Sequence, residues 1–185
     1  AARIDPMSID NESLKASLTR FARSGLDCAI WDATSDTGIP TFLAVVHDPS
    51  ASADHLGLGS GTHPDPVIAL HRTLNEAAQT RLNYISGARE DLFHDEYSLE
   101  GRMEKIAAFQ DLLANTSAPR RFDQVQGVTK ETLAEDLSWL TSRLLHAGLE
   151  HIAVVDLTQQ DIQIPLVRVL LPCLQPPHAA SASVP

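Results

Sequence analysis

Two distant parts of the sequence follow the same order: a helix, a step ending in Gly-Leu, a strand, an Asp-x-Thr turn, an Ile-Pro step and a second strand. Asp and Thr side chains commonly bond the backbone of such a turn, and Pro is tolerated where the outgoing strand begins. We therefore predict a pseudo-duplicated α+β fold, in which two helix-plus-β-hairpin units form a mixed or antiparallel sheet packed with helices. The matching steps are Ser24–Leu26 and Ala147–Leu149, Asp32–Thr34 and Asp156–Thr158, and Ile39–Pro40 and Ile164–Pro165.

Apolar spacing and turn residues place the individual elements. Helices are predicted over residues 12–24, 66–85, 98–113 and 131–146. Strands are predicted over 28–31, 41–46, 152–155 and 166–171, with a loop over 48–61. These elements give a domain over residues 1–174, and the Pro/Ala/Ser-rich residues 175–185 are expected to form a flexible tail.

Composition and charge exclude several classes of protein. The 185 residues are 43% hydrophobic, which suits one domain with its own core. The net charge of −10 disfavours nucleic acid and anionic lipid as partners. The longest uncharged apolar run, Val169–Leu174, is far too short to span a membrane. Cys28 and Cys173 form no CxxC pair, and no secretory leader is recognisable, so we expect a cytoplasmic protein without a disulfide scaffold or structural zinc.

Three alternating glycines, Gly57, Gly59 and Gly61, precede the second predicted helix. A phosphate-binding loop is one interpretation of such a segment. The Walker A pattern is not met because no Lys follows, and GxGxxG is not met because Thr62 occupies its third glycine position. A tight turn is therefore the favoured interpretation of these glycines.

The second predicted helix is amphipathic. Asp65 is its expected N-cap and Pro66 its first residue. The face opposite the apolar one carries a polar stripe, which consists of Arg72, Glu76, Gln79 and Asn83. The stripe is either a solvated face with an Arg–Glu pair or a ligand face, where Glu76 offers a carboxylate oxygen to Mg²⁺ and Gln79 bonds a nucleotide. Arg81 points toward the apolar side and is expected to pack or pair internally.

A longer pattern includes this stripe. It reads G-x-G-x-H-x-D-P-x-x-A-L-x-R-x-L-x-E-A-x-Q-x-R, followed by G-A-R-E/D-D. Its positions here are Gly59, Gly61, His63, Asp65, Pro66, Ala69, Leu70, Arg72, Leu74, Glu76, Ala77, Gln79, Arg81, Gly87, Ala88, Arg89, Glu90 and Asp91. The pattern resembles the second nucleotide-binding region of the YcaO family. Residues 32–40 and 155–172 are similar to the flanking family motifs, so the resemblance spans about residues 4–174.

The resemblance implies ATP-dependent modification of a peptide backbone. YcaO enzymes use Mg·ATP to phosphorylate the amide oxygen of a ribosomally made peptide after a nucleophile has added to its carbon. Loss of phosphate then leaves a thioamide if the nucleophile was sulfide, or an azoline if it was a Cys, Ser or Thr side chain. The motifs at 63–66 and 87–91 are similar to the branch that works with a TfuA-type partner, so thioamidation is expected. Azoline formation by a cyclodehydratase and a truncated, non-catalytic peptide- or partner-binding module are the alternatives.

The resemblance also implies site residues and partners. Glu76 would bind Mg²⁺, Gln79 and Arg72 would hold ATP, and Arg89 would face phosphate, whereas no residue is assigned a catalytic role. The implied partners are a precursor peptide or protein and a TfuA-like protein. The chain is further expected to form a homodimer or to pair with an N-terminal half of the domain.

The chain departs from the family pattern in two respects. A complete YcaO domain is about twice this length and carries a first ATP motif of the type Ser-x-x-x-Glu-x-x-Glu-Arg, which nothing here matches. Residues 1–174 are therefore expected to be the C-terminal half of a YcaO-type domain, as a fragment, as one part of a split enzyme or as a remnant. The closing family motif Pro-Gly-Leu-Glu reads Pro-Cys-Leu-Gln at 172–175 and so lacks its carboxylate.

Several other residues receive structural interpretations. Asp54, His55 and His63 are near one another but do not have the spacing of metal ligands, so we interpret them as solvated or capping residues. Arg120–Arg121 is interpreted as a solvated loop. Cys28 lies in an apolar strand and is interpreted as a buried residue, not a nucleophile.

Overall fold

A computed structural model describes residues 2–51, 55–87, 89–90, 97–114, 119–172 and 174. The strands are β1 (Ala2–Asp5), β2 (Asp27–Asp32), β3 (Thr41–His47), β4 (Gly57–Thr62), β5 (Arg120–Arg121), β6 (Ala153–Asp156) and β7 (Val167–Leu170). The helices are α1 (Glu12–Arg23), α2 (Pro66–Ser86), α3 (Leu99–Ala114) and α4 (Leu133–His146), with 3-10 helices at Pro6–Ser8 and Phe122–Gln124. The predicted tail, Asp54, Ala88, Asp91 and Cys173 lie outside the described residues.

The strands form two sheets. The larger has the order β4-β3-β2-β1-β5. It is mixed because β5 runs parallel to β1, whereas the other three pairs of neighbouring strands are antiparallel. The smaller sheet is the antiparallel hairpin β6–β7. The predicted α+β class, with a mixed sheet packed against helices, is confirmed.

Alternating side chains of the large sheet bury two apolar clusters, one on each face. Ile30, Phe42 and Val46 face the cluster that contains Leu70 and Leu74 of α2. The opposite face presents Trp31 and Val45 to apolar residues of α3, among them Ile106 and Phe109. The sheet is therefore covered by helices on both faces.

The predicted tight turn at the glycines is wrong, because Gly57–Thr62 forms strand β4 at the edge of the large sheet. Gly57, Gly59 and Gly61 point to one face of the strand, where α2 lies against it. A Cβ on Gly59 would lie only 3.0 Å from Cα of Ala77 and closer still to the carbonyl oxygen of Thr73. The glycines therefore serve the close packing of helix on strand, not a turn or a phosphate loop.

The predicted solvated loop at Arg120–Arg121 is also wrong. These residues form β5, in which Arg120 is the pairing partner of Ile4. The Arg120 guanidinium donates to the carboxylate of Asp32, whose side chain is only 4% exposed. Pairing between such distant parts of the chain leaves no local signal, so the two arginines read as a loop in the sequence.

The two repeated units have the same local hydrogen bonds. The amide of Thr34 donates to Asp32 Oδ1 at 2.9 Å, and the amide of Thr158 donates to Asp156 Oδ1 at the same distance. Each Thr hydroxyl oxygen then accepts the amide of the outgoing strand, at 3.1 Å from Thr41 and 3.2 Å from Leu166. The predicted turn role of both Asp residues is confirmed.

The surroundings of the two hairpins differ. In the first unit β1 and β4 flank the hairpin β2–β3, and α2 covers one of its faces. In the second unit every residue of β6 and β7 is exposed, and Val154 and Val169 are 62% and 52% exposed. The repeat therefore extends to local structure but not to packing. Among the described residues, none of the helices combines the length and the apolar character needed to cross a bilayer.

Candidate functional site

The start of α2 is held in place by several hydrogen bonds. Asp65 Oδ1 accepts the amide of Val67 at 2.7 Å, which confirms Asp65 as the N-cap, and Oδ2 accepts the hydroxyl of Thr129 at 2.9 Å. Nδ1 of His63 accepts the Asp65 amide at 3.0 Å. His63 therefore supports the cap, as its predicted capping role requires. These contacts set the direction in which α2 leaves the sheet and so orient its polar stripe.

The polar stripe of α2 lines an open cavity against β4. The cavity has a volume of about 560 Å³, and its lining residues are Ser60, Gly61, Thr62, Arg72, Asn75, Glu76 and Gln79. Three of the predicted site residues are thus brought together, whereas Asn83, one turn further on, does not line the cavity. We call it the Glu76 cavity.

Three further polar residues of the cavity were not predicted. Asn75 lies three residues after Arg72 and four before Gln79, so the helical period could have identified it. Ser60 and Thr62 alternate with the glycines and occupy the opposite face of β4. They could be identified only from a strand over residues 57–62, and the alternating glycines favoured a turn there instead.

Glu76 is fixed by β4 and not by its neighbour on the helix. Its Oε2 atom accepts the backbone amide of Ser60 at 2.6 Å and the Ser60 hydroxyl at 3.2 Å. The structure contains no ion pair between Glu76 and Arg72, both of which it describes, so the surface-pair interpretation of the stripe is not met. Within the described part of the chain, Oε1 has no hydrogen-bond partner. One oxygen of a positioned carboxylate therefore remains available to a ligand.

The donor set of the Glu76 cavity fits one side of a magnesium–nucleotide complex. Mg²⁺ is usually held by one or two carboxylates together with phosphate oxygens and waters. The cavity offers one carboxylate, the amides of Asn75 and Gln79, and the cation of Arg72. The described residues include no group of three or more His, Cys, Asp or Glu side chains that could hold a metal ion by themselves. A metal bound here would complete its coordination with phosphate or water.

Two other arginines lie away from this cavity. Arg81 donates to the carbonyl oxygen of His55, which confirms the predicted internal pairing. Arg89 is exposed and follows Gly87, the left-handed residue that ends α2. The rise of the helix places the end of α2 about 15 Å beyond Glu76, and Arg89 does not line the cavity.

The sequence of this chain matches a known protein family. The model of the YcaO family, described as an ATP- and Mg²⁺-binding cyclodehydratase, matches residues 1–175. The chain belongs to the YcaO family. The resemblance expected from residues 59–91 is thereby confirmed.

Relatives of this YcaO chain include uncharacterised proteins from two organisms. One, from Rhizobium leguminosarum bv. trifolii, is encoded in the tfuA 3′ region and is 34% identical over 182 residues, 94% of this chain and 43% of the relative. Another, from Methanothermobacter thermautotrophicus, is 32% identical over 93% of this chain and 45% of the relative. The chain therefore spans less than half the length of these two relatives.

Solved structures share the fold. A heterocyclase in complex with substrate and cofactor superposes with a TM-score of 0.75 at 27% identity, over 91% of this chain and 22% of that one. The heterocyclase TruD gives 0.72 at 26% identity, over 92% of this chain and 23% of that one. YcaO from Methanopyrus kandleri, bound with AMPPCP and Mg²⁺, gives 0.65 over 92% of this chain and 44% of that one; at 21% identity it supports the fold alone.

Other reactive residues of the YcaO chain have structural roles. Asp32 is committed to the Thr34 amide and to Arg120. The Thr158 side chain and amide hold the pKa of Asp156 below its usual range. Burial, with a smaller effect of the Asp27 charge, raises the pKa of the Cys28 thiol to about 12, so Cys28 is not a thiolate at neutral pH. The ring of His55 stacks on Tyr84 with centroids 5.2 Å apart.

Proposed function

We propose that this chain supplies one half of the Mg·ATP site of an enzyme that activates peptide backbone amides, and that the product is a thioamide. The observation that carries the proposal is the Glu76 cavity, in which β4 holds one carboxylate oxygen and leaves the other open. Membership of a family described as ATP- and Mg²⁺-binding supports it.

In this proposal each cavity residue has a separate task. Ser60 orients Glu76 so that Oε1 can contact Mg²⁺, and Gln79 and Asn75 hydrogen-bond the nucleotide. Arg72 in the cavity and Arg89 beyond the end of α2 would offset phosphate charge. Bound Mg·ATP would supply the phosphoryl group that makes the amide oxygen a good leaving group. The chain's own contribution is therefore positioning and charge stabilisation.

Thioamidation is favoured by one relative. The Rhizobium protein encoded in the tfuA 3′ region is 34% identical to this chain, which supports a TfuA-like partner protein together with a peptide substrate. Azoline formation is the second candidate because the heterocyclase with bound substrate is 27% identical. The two reactions give different products, since a thioamide exchanges oxygen for sulfur whereas an azoline loses water.

We further propose that the second unit packs against the rest of a YcaO domain. Its strands and helix α4 expose apolar side chains, among them Leu133 at 85%, Val154 at 62% and Val169 at 52%. In the first unit β1 and β4 flank the corresponding hairpin, and α2 covers one of its faces. The chain also spans less than half the length of the two relatives described above. The same remainder would supply the other side of the nucleotide site.

Titration calorimetry of Mg·ATP tests the half-site directly. We expect saturable binding that Glu76→Gln weakens by about tenfold or more, because a hydrogen-bonded carboxylate on a metal–phosphate complex is lost. Glu104→Gln on the exposed face of α3 is the matched control and should bind as the parent does. Equal binding by Glu76→Gln, or no binding by a folded sample, would contradict the half-site; the latter outcome favours the non-catalytic module.

The reaction itself requires a second experiment. The chain, assembled with the rest of its YcaO domain, is incubated with candidate peptides, Mg·ATP, sulfide and a TfuA-like protein, and the products are examined by mass spectrometry. Replacement of oxygen by sulfur would support thioamidation. Loss of water would support azoline formation instead.

A further inference from the structure

A second cavity lies where the two units meet. It has a volume of about 340 Å³ and is lined by the turn after β2, by residues 125–128 and by α4. The side chains that matter for its chemistry are Thr34, Arg120, Trp139 and Arg143. None of the predicted nucleotide residues lines it. We call it the Arg143 cavity.

Arg143 is positioned by the first unit although it belongs to the second. Its Nε atom donates to the carbonyl oxygen of Thr37 at 2.7 Å. The guanidinium packs so closely on Gly38 that a Cβ there would overlap it, and Gly38 has a φ of +65°. The glycine thus permits both the turn and the contact. This packing holds the arginine in one orientation across the boundary between the units.

The terminal nitrogens of Arg143 retain unused hydrogen-bonding capacity. Across the described ranges, no residue forms a hydrogen bond or ion pair with either of them. Arg120 differs, because it donates to Asp32 and to the carbonyl oxygen of Gln124. In a chain with a net charge of −10, an arginine held in a cavity without a carboxylate partner is an unmatched cation.

The remaining walls indicate what kind of anion would fit. Trp139, Val125 and Val128 supply apolar surface beside the guanidinium. A carboxylate on a short aliphatic stem matches both features, because arginine binds carboxylates through two parallel hydrogen bonds and the stem can lie against the indole. Asp136, two turns before Arg143 on the same face of α4, does not line the cavity.

Three threonines connect this cavity to the Glu76 cavity. Thr34 lines the Arg143 cavity, and its hydroxyl oxygen accepts the amide of Thr41 at 3.1 Å. The Thr41 hydroxyl lies 3.0 Å from that of Thr62, which lines the Glu76 cavity. The two cavities are therefore linked through Thr41, the first residue of β3, which is hydrogen-bonded to a lining residue of each.

We propose that the Arg143 cavity binds a carboxylate of the peptide substrate and so positions that peptide beside the nucleotide half-site. That the carboxylate belongs to a substrate peptide rests on the proposed function, whereas carboxylate binding by Arg143 does not. Arg143 is a positioning residue in this proposal. Arg120, Trp139 and Gly38 line the cavity together with it.

The test uses a ligand pair of the same shape but different charge. N-acetylglutamic acid α-amide, which keeps its side-chain carboxylate, and the neutral glutamine analogue are titrated into the chain without nucleotide, and indole fluorescence is recorded. Trp139 is the reporter because it lines the cavity, whereas Trp31 is fully buried. We expect saturable quenching by the glutamate compound, lost in Trp139→Phe, with the glutamine compound weaker by about tenfold or more.

Variants then assign the binding to Arg143. Arg143→Gln should weaken glutamate binding by about tenfold or more. Arg121→Gln, which removes an exposed arginine paired with Asp123, is the matched control and should leave it unchanged. If Arg143→Gln does not fold, the comparison of the two ligands on the parent protein still decides the question.

Equal binding of both compounds, or no saturable binding of either, would exclude carboxylate recognition. Displacement of the glutamate compound by inorganic phosphate at lower concentrations would assign the cavity to phosphate instead. Binding is also measured on Glu76→Gln, where it should be unchanged, so that failure of the nucleotide site and failure of the carboxylate site are distinguishable.

Discussion

Replacing Gly59 by alanine tests the close approach of α2 to β4. A Cβ at this position would meet backbone atoms of Thr73 and Ala77, neither of which can rotate away as a flexible side chain could. To restore ordinary contact at 3.4 Å, the helix must recede by about 1 Å. That movement would loosen the apolar contacts of Leu70 and Leu74 with the sheet.

The expected loss of stability follows from two opposing effects. Overpacking of a close-packed site costs about 3 kcal/mol at the upper end of its usual range, which a backbone-to-backbone clash justifies. Alanine also restricts the unfolded chain, which offsets about 0.5–1 kcal/mol. We therefore expect Gly59→Ala to lower the free energy of unfolding by about 2 kcal/mol, equivalent to a fall in Tm of about 4–8 °C for a domain of this size.

Urea and thermal unfolding followed by circular dichroism measure this change, and coincident transitions would justify a two-state treatment. Ser60→Ala is the matched control because it lies on the same strand, already carries a Cβ and adds no atom. Its loss should stay near 1 kcal/mol, since only the hydroxyl bond to Glu76 is removed. An unchanged midpoint and unchanged denaturant slope for Gly59→Ala would refute the proposed contact between α2 and β4.

Three further predictions concern buried groups. Thr73→Val should cost about 1 kcal/mol in urea unfolding, because the fully buried hydroxyl donates to the Ala69 carbonyl at 2.9 Å; a stability equal to that of the parent would contradict this. Burial raises the pKa of Cys28 above its unfolded value. The contribution of Cys28 to the free energy of unfolding should therefore be fully present below about pH 8.5 and fall by about 1.4 kcal/mol per pH unit above it. The same slope in Cys28→Ala would exclude this cause. Asp32→Ala should reduce Tm more than Asp156→Ala, because the two turns have the same backbone bonds but only Asp32 is buried and paired with an arginine; equal losses would show that the turn bond alone matters.

Short-range features of this chain could be predicted from its sequence. Asp65 and Pro66 begin α2 as expected, and Gly25 and Gly148 follow the ends of α1 and α4 with positive φ. Such signals depend on a few neighbouring residues and on the helical period, which also placed Arg72, Glu76 and Gln79 on one face. Whether that stripe binds a nucleotide stays a prediction.

Contacts between distant residues were decided only by the tertiary structure. The sequence predicted a turn at the glycines of β4, whereas their role in the structure is to let α2 pack closely on the strand. The sequence predicted a loop at Arg120, whereas this residue pairs with β1 and with the Asp32 carboxylate. The two hairpins have matching turns, yet one is buried and the other exposed, because burial depends on what packs against a strand and not on its own residues. The sequence by itself thus determined the caps, the turns and the polar stripe. The tertiary structure determined which oxygen of Glu76 remains open and which arginine faces the second cavity.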